Sequence, residues 1–69
     1  METQQVCRRI KAARITAGFD TQDQAATALK LPLATYRRFE SGTIPRLAIL
    51  VDLCKLFRTN PNAILGWEP

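Results

Sequence analysis

The sequence predicts an all-α fold, a compact five-helix bundle forming one domain over residues 1–69. Three observations carry this. Apolar residues recur at intervals of three and four, the spacing that lines one face of a helix. Gly18, Pro32, Gly42, Pro45 and Gly66 fall between those segments, where chain breakers belong, and Pro61 falls at the start of the last one. No strand pattern, internal repeat or low-complexity segment competes with the helical reading.

The first helix is expected over about 3–17, with Val6, Ile10, Ala13 and Ala17 as one buried stripe and Arg8, Arg9 and Lys11 on its other sides. Gly18, Phe19, Asp20 and Thr21 make the following turn. A second helix starts at Thr21, whose hydroxyl suits an N-cap with Gln24 three residues on as in a capping box, and continues to about Lys30. Ala25, Ala26 and Leu29 face inward. Leu31 plugs the corner, and Pro32 has the fixed φ that suits a helix start. The third helix spans about 33–41, with Tyr36 and Phe39 toward the core and Leu33, Ala34, Arg37 and Arg38 outward or along the rim. Gly42 ends it as an expected left-handed residue. Over about 46–57, Leu47, Leu50, Val51, Leu53, Cys54 and Phe57 make the most apolar helix, expected to be packed on several sides. Asn60 caps a short last helix over about 61–65, Pro61 opens it, and Ile64 and Leu65 cover the core.

Residues 21–42 hold the most specific signal. Two short helices meet at a corner of a few residues, and they can cross steeply only over a small side chain, which Ala26 supplies. The second of the pair exposes two adjacent arginines. A guanidinium offers a bidentate fork to guanine O6 and N7 or to phosphate, and Leu33 and Ala34 can touch thymine methyl groups. A solvated polar face would also explain Arg37 and Arg38 in isolation; the corner around them favours contact with DNA.

From about Val6 to Leu65 the chain resembles the Cro and lambda-repressor-like helix-turn-helix family, also called XRE-like. The resemblance rests on the opening RRIKAAR, Gln22 at the first motif position, Ala26 at the small crossing position, Tyr36 in the core, and FESG followed by Pro45. It implies a lambda-repressor-like bundle and a sequence-specific, DNA-binding transcriptional regulator, a bacterial or phage repressor that occupies a double-stranded operator. By this resemblance Leu33, Ala34, Arg37 and Arg38 lie nearest the bases. Thr21, Gln22, Lys30, Thr43 and Arg46 contact phosphates, with Ile44 in the same gripping loop. Arg14 and Glu40 match a salt bridge tying the first helix to the recognition helix. A homodimer, at least on DNA, would join through Ile64, Leu65 and Trp67 and set two recognition helices about 34 Å apart, one DNA turn. Three features depart from the family pattern. Lys30 and Arg58 stand where glycine is usual, at a cost of about 1 kcal/mol each if the backbone is left-handed. The connection from Arg14 to Gln22 is one residue longer, and Pro32 replaces a hydroxyl N-cap.

Composition agrees with these expectations. A net charge of +4 and a pI near 9.7 favour a polyanionic partner. Cys7 and Cys54 lack metal-ligand spacing and there is no histidine, so no metal or other cofactor is expected. Cys54 reads as a small buried apolar residue, Cys7 as partly exposed. The six carboxylates form no constellation with a nucleophile, so an enzyme is not expected. The apolar runs are too short for a membrane span and no signal pattern opens the chain, which points to the cytoplasm. Trp67 either clasps the end of the last helix or anchors a dimer contact. The alternative reading from a different class is a protein-interaction module or antitoxin-like regulator with a protein partner, because Leu33 and Ala34 supply few hydrogen bonds for base readout.

Overall fold

The computed structural model describes residues 2–66, and Trp67 lies outside them. Five helices follow one another: α1 (Thr3–Thr16), α2 (Gln22–Ala28), α3 (Leu33–Ser41), α4 (Leu47–Phe57) and α5 (Pro61–Leu65). No strand occurs among the described residues. α1 is the hub, packed against α3, α5 and α4, while α2 lies on α3.

The buried face of α1 is Val6, Cys7, Ile10 and Arg14. This corrects the expected stripe: Cys7 is only 1% exposed, whereas Ala13 and Ala17 are half-buried. Covering by helices on more than one side buries a wider arc than a single stripe. The Cys7 thiol faces the carbonyl of Thr43 at 4.0 Å, a weak contact between α1 and the loop after α3.

Three helix ends close in the same way. After α1, the N–H groups of Gly18 and Phe19 donate to the carbonyls of Ile15 and Arg14, with Gly18 left-handed at φ +94°. After α2, Lys30 and Leu31 donate to Thr27 and Ala26, with Lys30 at φ +58°. After α4, Arg58 and Thr59 donate to Lys55 and Cys54, with Arg58 at φ +56°. The reversal at Lys30 ends α2 at Ala28, two residues before its expected limit. Gly42 departs from expectation. Its φ is 161°, outside the left-handed region, and it and Thr43 both donate to the Arg38 carbonyl.

Helix starts follow local chemistry. Thr21 Oγ1 accepts from Gln24 N–H at 3.1 Å while the Gln24 side chain accepts from Thr21 N–H at 3.3 Å, a complete capping box. Asn60 accepts from Ala63 N–H at 2.9 Å ahead of Pro61. Ala25 and Ala26, 0% and 1% exposed, let α2 approach α3 closely.

Tyr36, Ile10, Leu53 and Ile64 occupy the centre of the core. Tyr36 meets Phe39 edge-on with ring centroids 6.2 Å apart, and Phe19 meets Phe57 at 5.7 Å. Each such pair contributes about 0.5–1.5 kcal/mol beyond area burial. Leu47 does not join them. It is 72% exposed at the first position of α4, because the buried face of that helix begins one turn later at Leu50.

The strongest polar tie lies inside this packing. Arg14 Nε donates to Glu40 Oε2 at 2.8 Å and Nη2 to Oε1 at 3.4 Å, with the two side chains 5% and 2% exposed. Arg14 Nη1 donates to the Phe19 carbonyl at 2.8 Å, so one guanidinium joins α1, the following turn and α3. From the middle of α1 the Arg9 guanidinium covers Gly66, which is left-handed at φ +72°.

Arg14→Ala strands a buried carboxylate and is expected to remove about 3–5 kcal/mol. A core of this size supplies only about 3–5 kcal/mol in total, so urea titration followed by circular dichroism should find the variant largely unfolded in buffer. The double change Arg14→Met with Glu40→Leu should recover most of the loss; a double variant no more stable than the single one would show that the charges themselves hold the fold. Gly66→Ala should lose about 1–2 kcal/mol in the same urea titration from its left-handed backbone, with the Arg9 guanidinium, the far end of a flexible side chain, swinging aside at little cost.

Candidate nucleic-acid interface

α3 sorts its residues by face. Tyr36 and Phe39 are buried, and Leu33 is half-buried against the core. Ala34, Arg37, Arg38 and Ser41 are exposed at intervals of three, one and three residues, a single stripe along the helix. Ser41 belongs to this stripe although the sequence reading left it out; its spacing of seven from Ala34, two turns along, was the available signal. The Arg37 and Arg38 guanidinium groups form no hydrogen bond or ion pair among the described residues, and remain available to an outside partner.

Nothing in α3 alone would keep that stripe turned outward. The helix has nine residues, too few to be stable by itself in water, so packing holds it. Tyr36 and Phe39 anchor one side and Glu40 is gripped by Arg14. Glu40 Oε1 also accepts from the Gln22 side-chain amide at 3.2 Å, which fixes the first residue of α2 against α3. The sequence reading had Gln22 and the pair Arg14 and Glu40 as separate features; the structure brings all three side chains to one carboxylate. Contact between residues 18 apart in sequence left no local signal.

The Tyr36 hydroxyl is buried beside this cluster and has no hydrogen-bond partner among the described residues. Burial, reinforced by the neighbouring Glu40, pushes its ionisation well above the ordinary tyrosine range. Tyr36 therefore stays neutral. Burial likewise raises the Cys54 thiol, leaving it a small inert core group.

The remaining expected contact residues flank α3. Thr21 is exposed at the start of α2, and Gln22 is half-buried with its amide engaged by Glu40. Thr43 and Arg46 are exposed in the loop and at the N-cap of α4, with Ile44 half-buried between them. Lys30 is exposed at the corner and also borders a cleft toward α4. The residues expected at a dimer contact are placed differently. Ile64 is 1% exposed and belongs to the chain's own core, so it has no surface left for a second copy. Leu65 is half-buried.

Among the described residues no group of three histidine, cysteine, aspartate or glutamate side chains could hold a metal ion. No described helix is long and apolar enough to cross a membrane. Comparison with curated proteins and with solved structures found no match. A family model described as helix-turn-helix matches residues 10–64, which takes in the corner, the exposed stripe of α3 and the buried pair that positions it. With most of its length matched, the chain belongs to the helix-turn-helix family of the XRE type, the lambda-repressor and Cro-like DNA-binding regulators of transcription.

Proposed function

We propose that this chain is a sequence-specific, Cro-like repressor of bacterial or phage origin that blocks a promoter by occupying an operator. The observation that carries the reading is the exposed stripe Ala34, Arg37, Arg38 and Ser41 on a rigidly seated α3, with both guanidinium groups uncommitted among the described residues. Placed in a major groove, Arg37 and Arg38 present forks that match guanine O6 and N7, while Ala34 and the exposed part of Leu33 meet thymine methyl groups. Ser41 extends the same line with a hydroxyl.

Phosphate contacts flank this line and fix its register without reading sequence. Thr21 and Gln22 lie on one side, Thr43 and Arg46 on the other, and Lys30 adds charge at the corner. The Glu40 carboxylate accepts one amide N–H of Gln22, leaving the second N–H free to donate to a phosphate oxygen. The net charge of +4 strengthens this attraction over the length of a half-site. Two copies on a two-fold symmetric site would place their α3 helices about 34 Å apart, joined through the end of α5 around Leu65 and Trp67.

A selection from random duplex DNA at near-physiological salt tests the whole reading. Enrichment of a symmetric site with half-sites about one turn apart is the expected result; folded protein that enriches nothing would refute it. On the enriched site, Arg37→Ala or Arg38→Ala should each weaken binding by about 1–3 kcal/mol and relax preference at one base pair. Arg46→Ala should weaken all sequences alike and lower the salt slope by about one. A changed consensus from Arg46→Ala would move that residue from phosphate to base readout.

A further inference from the structure

Away from α3, the C-terminal parts of α2 and α4 leave a cleft between them. It is a shallow, open depression of about 450 Å³, lined by Ala28, Leu29, Lys30, Asp52, Lys55 and Leu56. Leu56 is shared with a second cleft of about 620 Å³, floored by Phe19 and Phe57 and bordered by Arg58. The two clefts adjoin at Leu56 as a trough, with half-buried Leu29, Leu56 and Phe19 among its apolar lining. Its rim carries three exposed cations, Lys30, Lys55 and Arg58, against Asp52.

A second observation concerns the backbone beneath two of those cations. Three helix ends close with the same left-handed reversal; α1 uses glycine there, while α2 and α4 use Lys30 and Arg58. Glycine would adopt these conformations without the clash of Cβ against backbone. A cation near a helix C-terminus is favourable in itself, but a position inside the last turn gives that benefit without strain, and Lys55 already holds it for α4. Both strained cations border the same trough.

The geometry points to this trough as a docking site for an acidic amphipathic helix of a partner protein. Apolar side chains at helical spacing would fill the floor over Leu56, and glutamates or aspartates on their flanks would meet Lys55, Arg58 and Lys30. A helix of about ten to twelve residues is about 15–18 Å long, shorter than the 21 and 20 Å minor extents of the molecule. No residue of α3 lines either cleft, so docking leaves the exposed arginine stripe uncovered. The chain can then hold DNA and a second protein together. Lys30 is shared with the proposed phosphate contacts, so the decisive residues are Lys55 and Arg58.

The test uses nuclear magnetic resonance of the isotope-labelled full chain, titrated with two synthetic amphipathic peptides of about twelve residues, about 18 Å when helical. One carries leucine on one face and glutamate on the other; its control has lysine in place of glutamate. The glutamate peptide should shift resonances in residues 16–19, 28–30 and 52–58 and leave those of 34–41 in place, and the lysine peptide should not bind. The double variant Lys55→Glu with Arg58→Glu should weaken the interaction by roughly tenfold or more, a difference of about 1.4 kcal/mol. Arg58→Gly keeps the left-handed turn, so it should raise the thermal midpoint while weakening the peptide. Equal binding of both peptides, shifts centred elsewhere, or no binding at millimolar peptide would overturn the proposal. So would a loss of duplex DNA affinity in the Lys55 and Arg58 double variant as large as that from Arg37→Ala, which would assign the trough to phosphates.

Discussion

The buried pair of Arg14 and Glu40 is the constraint on which the rest of this molecule depends. Its two side chains are almost wholly withdrawn from water, and one carboxylate on α3 receives donors from α1 and from the first residue of α2. The same guanidinium holds the Phe19 carbonyl in the turn between those helices. An apolar contact could hold α3 against α1 while permitting rotation about its axis. A guanidinium fork on a carboxylate is directional, and fixes that rotation as well as the separation. The stripe of Ala34, Arg37, Arg38 and Ser41 faces outward because Glu40, on the same helix, is turned inward and held there.

Short elements make this dependence strict. α2 has seven residues and α3 has nine, lengths at which isolated helices are marginal in water. Their helical state is supplied by the capping box at Thr21, by close approach over Ala25 and Ala26, and by the anchoring of Tyr36 and Phe39. The Tyr36 hydroxyl has no hydrogen-bond partner among the described residues, so part of what its ring gains by burial is offset by desolvation. That arrangement also puts a neutral polar group beside Glu40, in a place where a second charge would compete with Arg14.

What could be read from sequence follows the range of the interaction responsible. The caps at Thr21 and Asn60 and the small residues at the crossing are set by neighbours within a few positions, so spacing disclosed them, whereas the left-handed cations at Lys30 and Arg58 were legible only through the family resemblance, which has glycine there. Cys7 and Leu47 were misjudged for the opposite reason. Each has an identity that permits either environment, and what covers α1 and leaves the start of α4 bare is the arrangement of other helices. Ile64 was offered to a dimer contact because apolar residues near a chain end suit both an interface and a core, and here the core takes it. At the candidate site the arginines were evident from exposure on a short helix, and the ion pair from the family resemblance. The hydrogen bond from Gln22 to Glu40 was not evident, since it joins two residues each already given a separate role.

Separating the residues that hold α3 from those that it displays has a consequence for recognition. Tyr36, Phe39 and Glu40 point inward and are committed to packing, whereas the Arg37 and Arg38 guanidinium groups form no hydrogen bond or ion pair among the described residues. Ser41 likewise spends its hydroxyl only on the Arg38 carbonyl one turn back, at 3.4 Å. Substitutions along the exposed stripe therefore change the surface that the helix displays with little effect on whether it exists. Leu33 is the exception. Half-buried against the core while lying beside the stripe, it ties the start of the reading helix to the packing beneath it, and a polar residue there would trade seating of the helix for an added hydrogen bond. If the stripe reads bases as proposed, that readout is most freely adjusted from Ala34 onward.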